Sequence, residues 1–171
     1  MSFHTPLADV AAYKIKLAES RSEHAAAVEL RRVVFCVEQQ IFDGHDRDAI
    51  DDHASTIIAL NPTGDVVGTV RIHQEARGLW WGSRLAVDKR YRRVAQLGAG
   101  LIRCAVSTAN GRGCTQFFAH VQAQNEPLFH RLQWESLAYE DQHGLPHVKM
   151  QADLDAYPSG MDPLPQVVSA Q

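Results

Sequence analysis

Basic side chains and small residues are concentrated in one stretch, Arg84 to Val106 (RLAVDKRYRRVAQLGAGLIRCAV). A short apolar run ends at Val87, and Gly98-Ala99-Gly100 then opens a predicted helix. Small residues allow a ligand to approach the backbone closely, and a helix N-terminus presents unpaired N–H groups with a partial positive charge. The stretch therefore predicts a phosphate or pyrophosphate site. Four basic residues supply countercharge: Lys89, Arg90, Arg92 and Arg93.

This stretch has three possible interpretations as a phosphate site. The alternative to all three is a helix start that binds no ligand. A P-loop would need GxxxxGK[ST], which the sequence lacks. A dinucleotide-binding G-x-G-x-x-G would need a third glycine, but Gly100 is followed by Leu101, Ile102 and Arg103. The third interpretation, a loop that holds the pyrophosphate of coenzyme A, depends on sequence beyond this stretch.

The surrounding elements follow from hydrophobic periodicity, caps and turn residues. Ser20 and Glu23 form a capping box, so a helix should begin there and run to about Val37. Asn125 can cap a short helix that has Pro127 in its first turn. A longer helix is predicted at 97–110, and strands at 13–18, 55–60, 66–73, 78–87, 115–121, 134–140 and 147–154.

This order predicts a mixed α/β (α+β) sheet with helices on both faces. The length and the 45% hydrophobic content suit one domain, 1–171. Its core should span about 13–155, with irregular, peripheral segments at 1–12 and 156–171.

Composition excludes several classes of function. A net charge of −3 disfavours nucleic acid as a partner, and no apolar run approaches the length that spans a membrane. Three cysteines without a CxxC spacing favour a reducing, cytoplasmic location. The acidic segment His45 to His53 fits no metal pattern, so we expect no metal. It either lines a pocket that favours a cationic or amine substrate or forms a solvated loop.

Four segments in order resemble the GNAT acyltransferases, and in particular their ElaA-like bacterial branch, commonly described as nitrogen-starvation-type acetyltransferases. Arg93-Val94-Ala95-Gln96-Leu97-Gly98 is similar to the acetyl-CoA motif R/Q-x-x-G-x-G/A, with Gln96 in place of the first glycine. The other three segments are RVVFCVEQQ at 32–40, FHRLQW at 129–134 and GLPHVKM at 144–150.

The resemblance implies the GNAT fold, a largely antiparallel mixed sheet of about six or seven strands. It also implies acetyl-CoA as co-substrate, with a small-molecule amine attacking the thioester directly. The backbone of Leu85, Ala86 and Val87 would pair with the pantetheine arm. The pyrophosphate would lie on Arg92, Arg93, Gln96, Leu97, Gly98, Ala99 and Gly100, and further cofactor contacts would come from Gln122, Asn125 and Phe129.

Two residues are candidates for the general base. Glu38 lies on the helix of the ElaA-like motif, with a solvated or ion-paired residue as the alternative. His120 ends a strand and could face the cleft, with a satisfied core histidine as the alternative. Phe129 stands where many GNAT enzymes carry a tyrosine acid, so Tyr139 or water would have to protonate the thiolate.

Three functions remain open from the sequence. The first is acetyl transfer to a small amine, and the second is transfer of a longer acyl chain, as in acyl-homoserine-lactone synthases. The third is a non-catalytic module that senses acyl-CoA. Homodimers are common in the family, so a homodimer is also an expectation.

Overall fold

A computed structural model describes residues 12–94 and 96–165. The predicted irregular segment 1–12 and the end of the tail, 166–171, lie outside the described residues except for Ala12. The strands are β1 (Lys14–Leu17), β2 (Ser55–Leu60), β3 (Val66–Ala76), β4 (Leu79–Val87), β5 (Gln116–Gln122), β6 (Trp134–Gln142) and β7 (Leu145–Ala152). The α-helices are α1 (Arg21–Arg31), α2 (Leu97–Gly111) and α3 (Glu126–Arg131).

The seven strands form one sheet in the order β1-β2-β3-β4-β5-β7-β6. Every neighbouring pair is antiparallel except β4 and β5, which α2 connects as a crossover. Side chains on β4 alternate between two apolar clusters. Ala86 packs with Leu30, Val34 and Phe35 of the first helical region, whereas Leu85 packs against the cluster that contains α2. The predicted mixed sheet with helices on both faces is confirmed.

The first helix begins as predicted but changes its hydrogen bonding before it ends. Ser20 and Glu23 form the capping box, with the Ser20 hydroxyl accepting from the Glu23 N–H at 3.1 Å. From Arg32 to Glu38 the helix is a π-helix. The N–H of Gln39 donates to the carbonyl of Val34, five residues back. Such wide turns are frequent at functional sites, and this one ends at the mouth of the cleft described below.

Three local predictions need correction. Asn125 precedes α3, but its side chain makes no capping hydrogen bond. Helix α2 continues through Gly111, and the left-handed residue after it is Gly113 at φ +88°. The turn between β6 and β7 contains only His143 and Gly144, both at positive φ, as a two-residue hairpin of this hand requires.

The segment after β7 is irregular, yet much of it packs against α2. Tyr157 is buried, and its carbonyl accepts a hydrogen bond from the Asn110 side chain at 2.8 Å. The Ser107 hydroxyl donates to the carbonyl of Pro158 at 2.9 Å. The predicted boundary at 155–156 therefore does not mark the end of the packed structure.

Candidate functional site

The sheet divides where β4 and β5 stop pairing. The last paired residues are Gly82 and Ala119, and beyond them the two strands diverge. A cleft of about 610 Å³ opens at this fork. A Cβ at Gly82 would lie 3.0 Å from the ring of Phe117, so glycine allows the strands to meet closely at this point. The fork therefore separates two strand ends that still carry unpaired backbone.

The β4 side of the cleft presents a free strand edge. Residues 83–87 pair with β3 alone, and β4 contains one extra residue opposite Val70. Arg84 lies in this bulge at φ +56°, which turns the strand locally. Leu85 lines the cleft, while Ala86 and Val87 pair with Thr69 and Gly68. An extended ligand can add to this edge as a further strand.

The N-terminus of α2 has the properties that an anion site requires. The first turn closes with the Gly100 N–H on the carbonyl of Gln96, so the N–H groups of Leu97, Gly98 and Ala99 have no acceptor within the helix. Among the described residues, no side chain caps this end, and a Cβ built on Gly98 would meet nothing within 4 Å. The described part of the chain therefore leaves room for a ligand against the backbone.

Gln96 adopts the conformation that explains why the related motif has glycine at this place. Its φ of +76° lies in the left-handed region, which L side chains rarely adopt. The Arg103 guanidinium donates to the Gln96 side-chain oxygen at 3.0 Å and also to the carbonyl of Pro163 at 3.3 Å. A side-chain contact thus supports the backbone that glycine would adopt freely. Ala95 of the motif lies outside the described residues.

The other predicted pyrophosphate ligands differ in whether the protein already contacts them. Arg93 is exposed and has no hydrogen-bond or ion-pair partner within the described residues. Arg92 donates to the carbonyl of Val87 at 3.0 Å and to Glu38 at 2.7 Å. Gly100 is closely packed where a side chain would project, because a Cβ there would lie 2.5 Å from Ile15 and 3.0 Å from the carbonyl of Pro163. A contact of its backbone with the pyrophosphate stays a prediction.

Residues of β5 and α3 form the opposite side of the cleft. The Gln122 amide donates to the Gln39 side chain at 3.0 Å and so joins the end of β5 to the end of the π-helix. Asn125 and Phe129 also line the cleft, and Phe129 packs edge-on against Trp134. Tyr139, the proposed substitute acid, is exposed on β6, where its hydroxyl donates to Glu126 at 2.8 Å.

His120 lines the cleft where the two strands diverge. Its Nδ1 lies 3.0 Å from Glu140 Oε1, and its ring stacks on Trp81 with a centroid distance of 4.9 Å. Burial lowers the pKa of His120, partly offset by Glu140, so the neutral imidazole is favoured. Of the two predicted bases, His120 lines the cleft, whereas Glu38 pairs with Arg92.

Three arginines and three aspartates form an ion-pair network under one side of the cleft, here called the acceptor side. Asp46, Asp48, Arg71 and Arg84 line the cleft on this side. Arg31 is 2% exposed and Arg71 is 1% exposed. Arg31 binds Asp46 at 2.7 Å and Asp51 at 2.8 Å. Burial opposes the charge on Asp51, yet the hydrogen bonds from Arg31 outweigh it and hold the pKa of that carboxyl below its usual range. The remaining links are Arg71 to Asp48 and Asp51, and Arg84 to Asp46 and Asp48.

Sequence reasoning identified the acidic half of this network and missed the basic half. Arg71 stands inside an apolar strand, VVGTVRIH, where a charge must find a partner. The position of Arg71 within this strand could have predicted that a carboxylate elsewhere in the fold pairs with it. The sequence also missed Trp81 and Glu140 as neighbours of His120.

The cysteines and the acidic loop show no sign of other chemistry. Burial raises the pKa of Cys114 to about 11, and burial likewise raises the pKa values of Cys36 and Cys104. In the part of the chain that the structure describes, no group of three or more His, Cys, Asp or Glu side chains is arranged to hold a metal ion. No helix within the described ranges is both long and apolar enough to cross a bilayer.

The forked sheet, the free β4 edge and the uncapped start of α2 define an acyltransferase architecture. The chain belongs to the acetyltransferase (GNAT) family, whose sequence pattern matches residues 19–133. A protein from Lactobacillus plantarum assigned as an N-acetyltransferase has a similar structure. That similarity has a TM-score of 0.75 at 25% identity, over 83% of this chain and 98% of that one.

Two further solved structures share the fold at lower identity. Escherichia coli ElaA matches with a TM-score of 0.70 and 20% identity, over 82% of this chain and 99% of that chain. A CoA-dependent acyl-homoserine lactone synthase, BjaI, matches with a TM-score of 0.67 and 17% identity, over 83% of each chain. No curated protein sequence matches this chain. The protein is accordingly a GNAT acyltransferase with an ElaA-like fold.

Proposed function

We propose that the protein transfers an acetyl group from acetyl-CoA to the amine of a small metabolite. The observation that supports this most directly is the α2 N-terminus, where three N–H groups lack helical acceptors beside the open space at Gly98. These groups and Arg93 would hold the pyrophosphate. The free β4 edge at 83–87 would pair with the pantetheine arm and direct the thioester to the fork.

The thioester supplies an activated acyl carbon at the fork when acyl-CoA is bound. The acceptor nitrogen forms a bond to that carbon, the carbon–sulfur bond breaks, and the thiolate leaves with the sulfur electron pair. One proton leaves the attacking nitrogen, and water protonates the thiolate, because Phe129 has no hydroxyl and Tyr139 is bound to Glu126 outside the cleft. The backbone N–H groups of the β4 bulge would donate to a developing oxyanion.

We propose His120, rather than Glu38, as the group that accepts the amine proton. His120 lines the cleft, and its partial burial lowers the pKa of the imidazole, which favours the neutral form. Glu38 instead binds Arg92, which in turn binds the carbonyl of Val87. Glu38 then acts as an anchor that ties the π-helix to the pyrophosphate loop. Replacement of His120 should lower kcat by roughly a hundredfold or more, whereas Glu38→Gln should mainly weaken acyl-CoA binding.

An amine acceptor agrees with the accessible carboxylate on this side of the cleft. Asp48 lines the cleft, and its side chain is 39% exposed. A cationic amine would be attracted to this carboxylate. The three thiols without disulfides are consistent with action in a reducing cytoplasm. The homodimer stays a prediction.

A longer acyl chain is the second candidate, and the lining of the fork favours it. Apolar side chains from both sheet and helices reach the cleft behind Gly82: Val70, Ile102, Ala105, Phe117, Val121 and Trp134. An acetyl group would fill little of this space. The structural neighbours include a synthase described with isopentyl-CoA and an N-acyl amino acid synthase.

The deciding experiment measures heat unfolding and thiol release with acyl-CoAs of increasing length. The three proteins compared are wild type, Gly98→Glu and Gly98→Gln, since the two variants have side chains of matched length but differ in charge. Acetyl-CoA at about a hundredfold excess over its Kd should stabilise the wild type by roughly 3 kcal/mol. Gly98→Glu should lose this shift, and Gly98→Gln should keep more of it.

The acyl length that gives the highest kcat/KM with a panel of amines identifies the donor. Thiol release that peaks at acetyl-CoA supports the first candidate, and a peak at longer chains supports the second. A wild-type protein that shows no shift with any acyl-CoA contradicts both. Binding without thiol release, for every amine offered, would identify the sensing module instead.

A further inference from the structure

His120 is held between two side chains from different parts of the sheet. On one side Glu140 of β6 reaches across β7 and lies 3.0 Å from Nδ1. On the other side the indole of Trp81 stacks on the imidazole with an interplanar angle of 18°. Trp81 is itself fixed by its Nε1–H, which donates to Glu75 Oε2 at 2.5 Å. The imidazole therefore has one defined orientation in the cleft.

The nearby carboxylate of Glu140 also favours one tautomer of His120. Its Oε1 lies 3.0 Å from Nδ1, and the negative charge favours a proton on that nitrogen. The neutral ring then keeps its lone pair on Nε2. Within residues 12–94 and 96–165, Nε2 has no hydrogen-bond partner. A base with an unoccupied lone pair in the cleft is what the abstraction of an amine proton requires.

The charges around His120 act in opposite directions. Burial lowers the pKa of His120 most, Glu140 raises it, and Lys149 and His147 lower it. Lys149 is the strand partner of His120 on β7, and its ammonium lies over the rings of Trp81 and Phe118 at 5.6 and 4.9 Å. The titratable groups that adjoin this cluster are Glu140 on β6, Lys149 and His147 on β7, and Glu75 and His73 on β3, where His73 is the strand partner of Trp81.

We propose that Glu140 is the positioning residue of the site, because it fixes the orientation and tautomer of His120, while Lys149 opposes its charge. This inference depends on the proposed role of His120 as the general base. Glu140 itself does not line the cleft, whereas His120 does, so Glu140 acts through the imidazole. The arrangement resembles a carboxylate that orients a catalytic histidine in a triad, assembled here on two sheet strands that β7 separates.

The first test observes the imidazole directly by nitrogen NMR and needs no turnover. Wild-type His120 should titrate as the Nδ1–H tautomer. Glu140→Gln keeps a hydrogen-bond acceptor and removes the charge, so the pKa of His120 should fall. Lys149→Met removes the opposing charge, so that pKa should rise. Each shift should be roughly half a unit to one unit. Glu135→Gln, an exposed residue on the same strand, should change neither the tautomer nor the titration.

The second test measures kcat as a function of pH. Because the base must be neutral, the acidic limb of the profile should move to lower pH in Glu140→Gln and to higher pH in Lys149→Met. Glu140→Ala should lower kcat between about tenfold and a hundredfold with the KM for acyl-CoA unchanged. Opposite movements of the limb could not arise from a merely structural role, which would affect both variants alike.

Two results would overturn the inference. The first is a titration of His120 that is the same in Glu140→Gln, Lys149→Met and wild type. The second is a kcat for Glu140→Ala within twofold of wild type, provided that His120→Gln is inactive. If His120→Gln keeps full kcat, the proposed base itself is wrong, and the NMR titrations then show whether the contact with Glu140 still fixes the ring.

Discussion

The two ends of the cleft use charge in opposite ways. The proposed pyrophosphate loop, residues 92–94 and 96–100, leaves backbone N–H groups and the side chain of Arg93 without partners among the described residues. The ion-pair network of Arg31, Arg71, Arg84, Asp46, Asp48 and Asp51 instead pairs its charges within the protein. The loop presents unsatisfied donors to a ligand, whereas the network pairs its charges internally and leaves one buried oxygen, Asp46 Oδ1, without a donor among the described residues.

Because of this difference, mutations in the two regions should have different effects. A change in the loop should affect ligand binding and leave the folded state nearly as stable, because few protein contacts are lost there. A change in the network should affect stability first, since removal of one partner leaves a buried charge unpaired. The predictions below test that separation.

Asp51→Ala should have the largest effect on stability. The substitution leaves Arg31, with a side chain that is 3% exposed, without its bidentate partner and also weakens Arg71. We expect a loss of roughly 3 kcal/mol or more in the free energy of unfolding by denaturant. Asp52→Ala is the matched control, because Asp52 lies next to it and is exposed. Equal losses in the two variants would refute the structural role of the network.

Acid should produce a smaller loss through the same network. Arg71 and Arg31 keep the pKa values of Asp48 and Asp51 below their usual range, despite the burial that opposes this. A depressed carboxyl pKa gives stability that is present above the unfolded value near pH 4 and is lost as pH falls toward the folded value. The free energy of unfolding measured from pH 6 to pH 3 should therefore fall, and fall less in Asp51→Ala.

Gly100→Ala should lower stability and spare acyl-CoA binding. The added Cβ would lie 2.5 Å from Ile15 Cδ1 and 3.0 Å from the carbonyl oxygen of Pro163. The Ile15 side chain can move away from the new methyl group, but the backbone at Pro163 moves less easily. We expect a loss of about 1–3 kcal/mol from overpacking. Gly98→Ala is the control with no steric conflict. A Gly100→Ala protein that is fully stable but fails to bind acetyl-CoA would place Gly100 in the ligand site.

Gln96→Gly should produce the smallest change, and in the stabilising direction. Glycine adopts the φ of +76° without the left-handed penalty of about 1 kcal/mol, although it loses the hydrogen bond from Arg103. We expect a gain of up to about 1 kcal/mol. Arg103→Met removes the same bond and should instead destabilise. Destabilisation by Gln96→Gly would mean that the side-chain contact outweighs the backbone strain.

Most elements of the fold could be predicted because their signals are local. The capping box at Ser20 and Glu23 and the strand at 55–60 appear where the sequence places them. The π-helix at 32–38 could not be predicted, because apolar spacing is nearly the same in α- and π-turns. The packing of Tyr157 under α2 was also missed, since an irregular sequence carries no periodicity that reports burial.

The candidate site divides in the same way. The sequence by itself was enough to propose the pyrophosphate loop, because one continuous stretch carries the helix start, the small residues and the basic side chains. It also determined which family motifs are present and in what order. The contact of His120 with Glu140, the pairing of Glu38 with Arg92 and the burial of Arg71 among aspartates were decided only by the tertiary structure. Each joins residues that are 20 or more positions apart, and only the packing of strands, helices and loops in the folded chain brings such residues together.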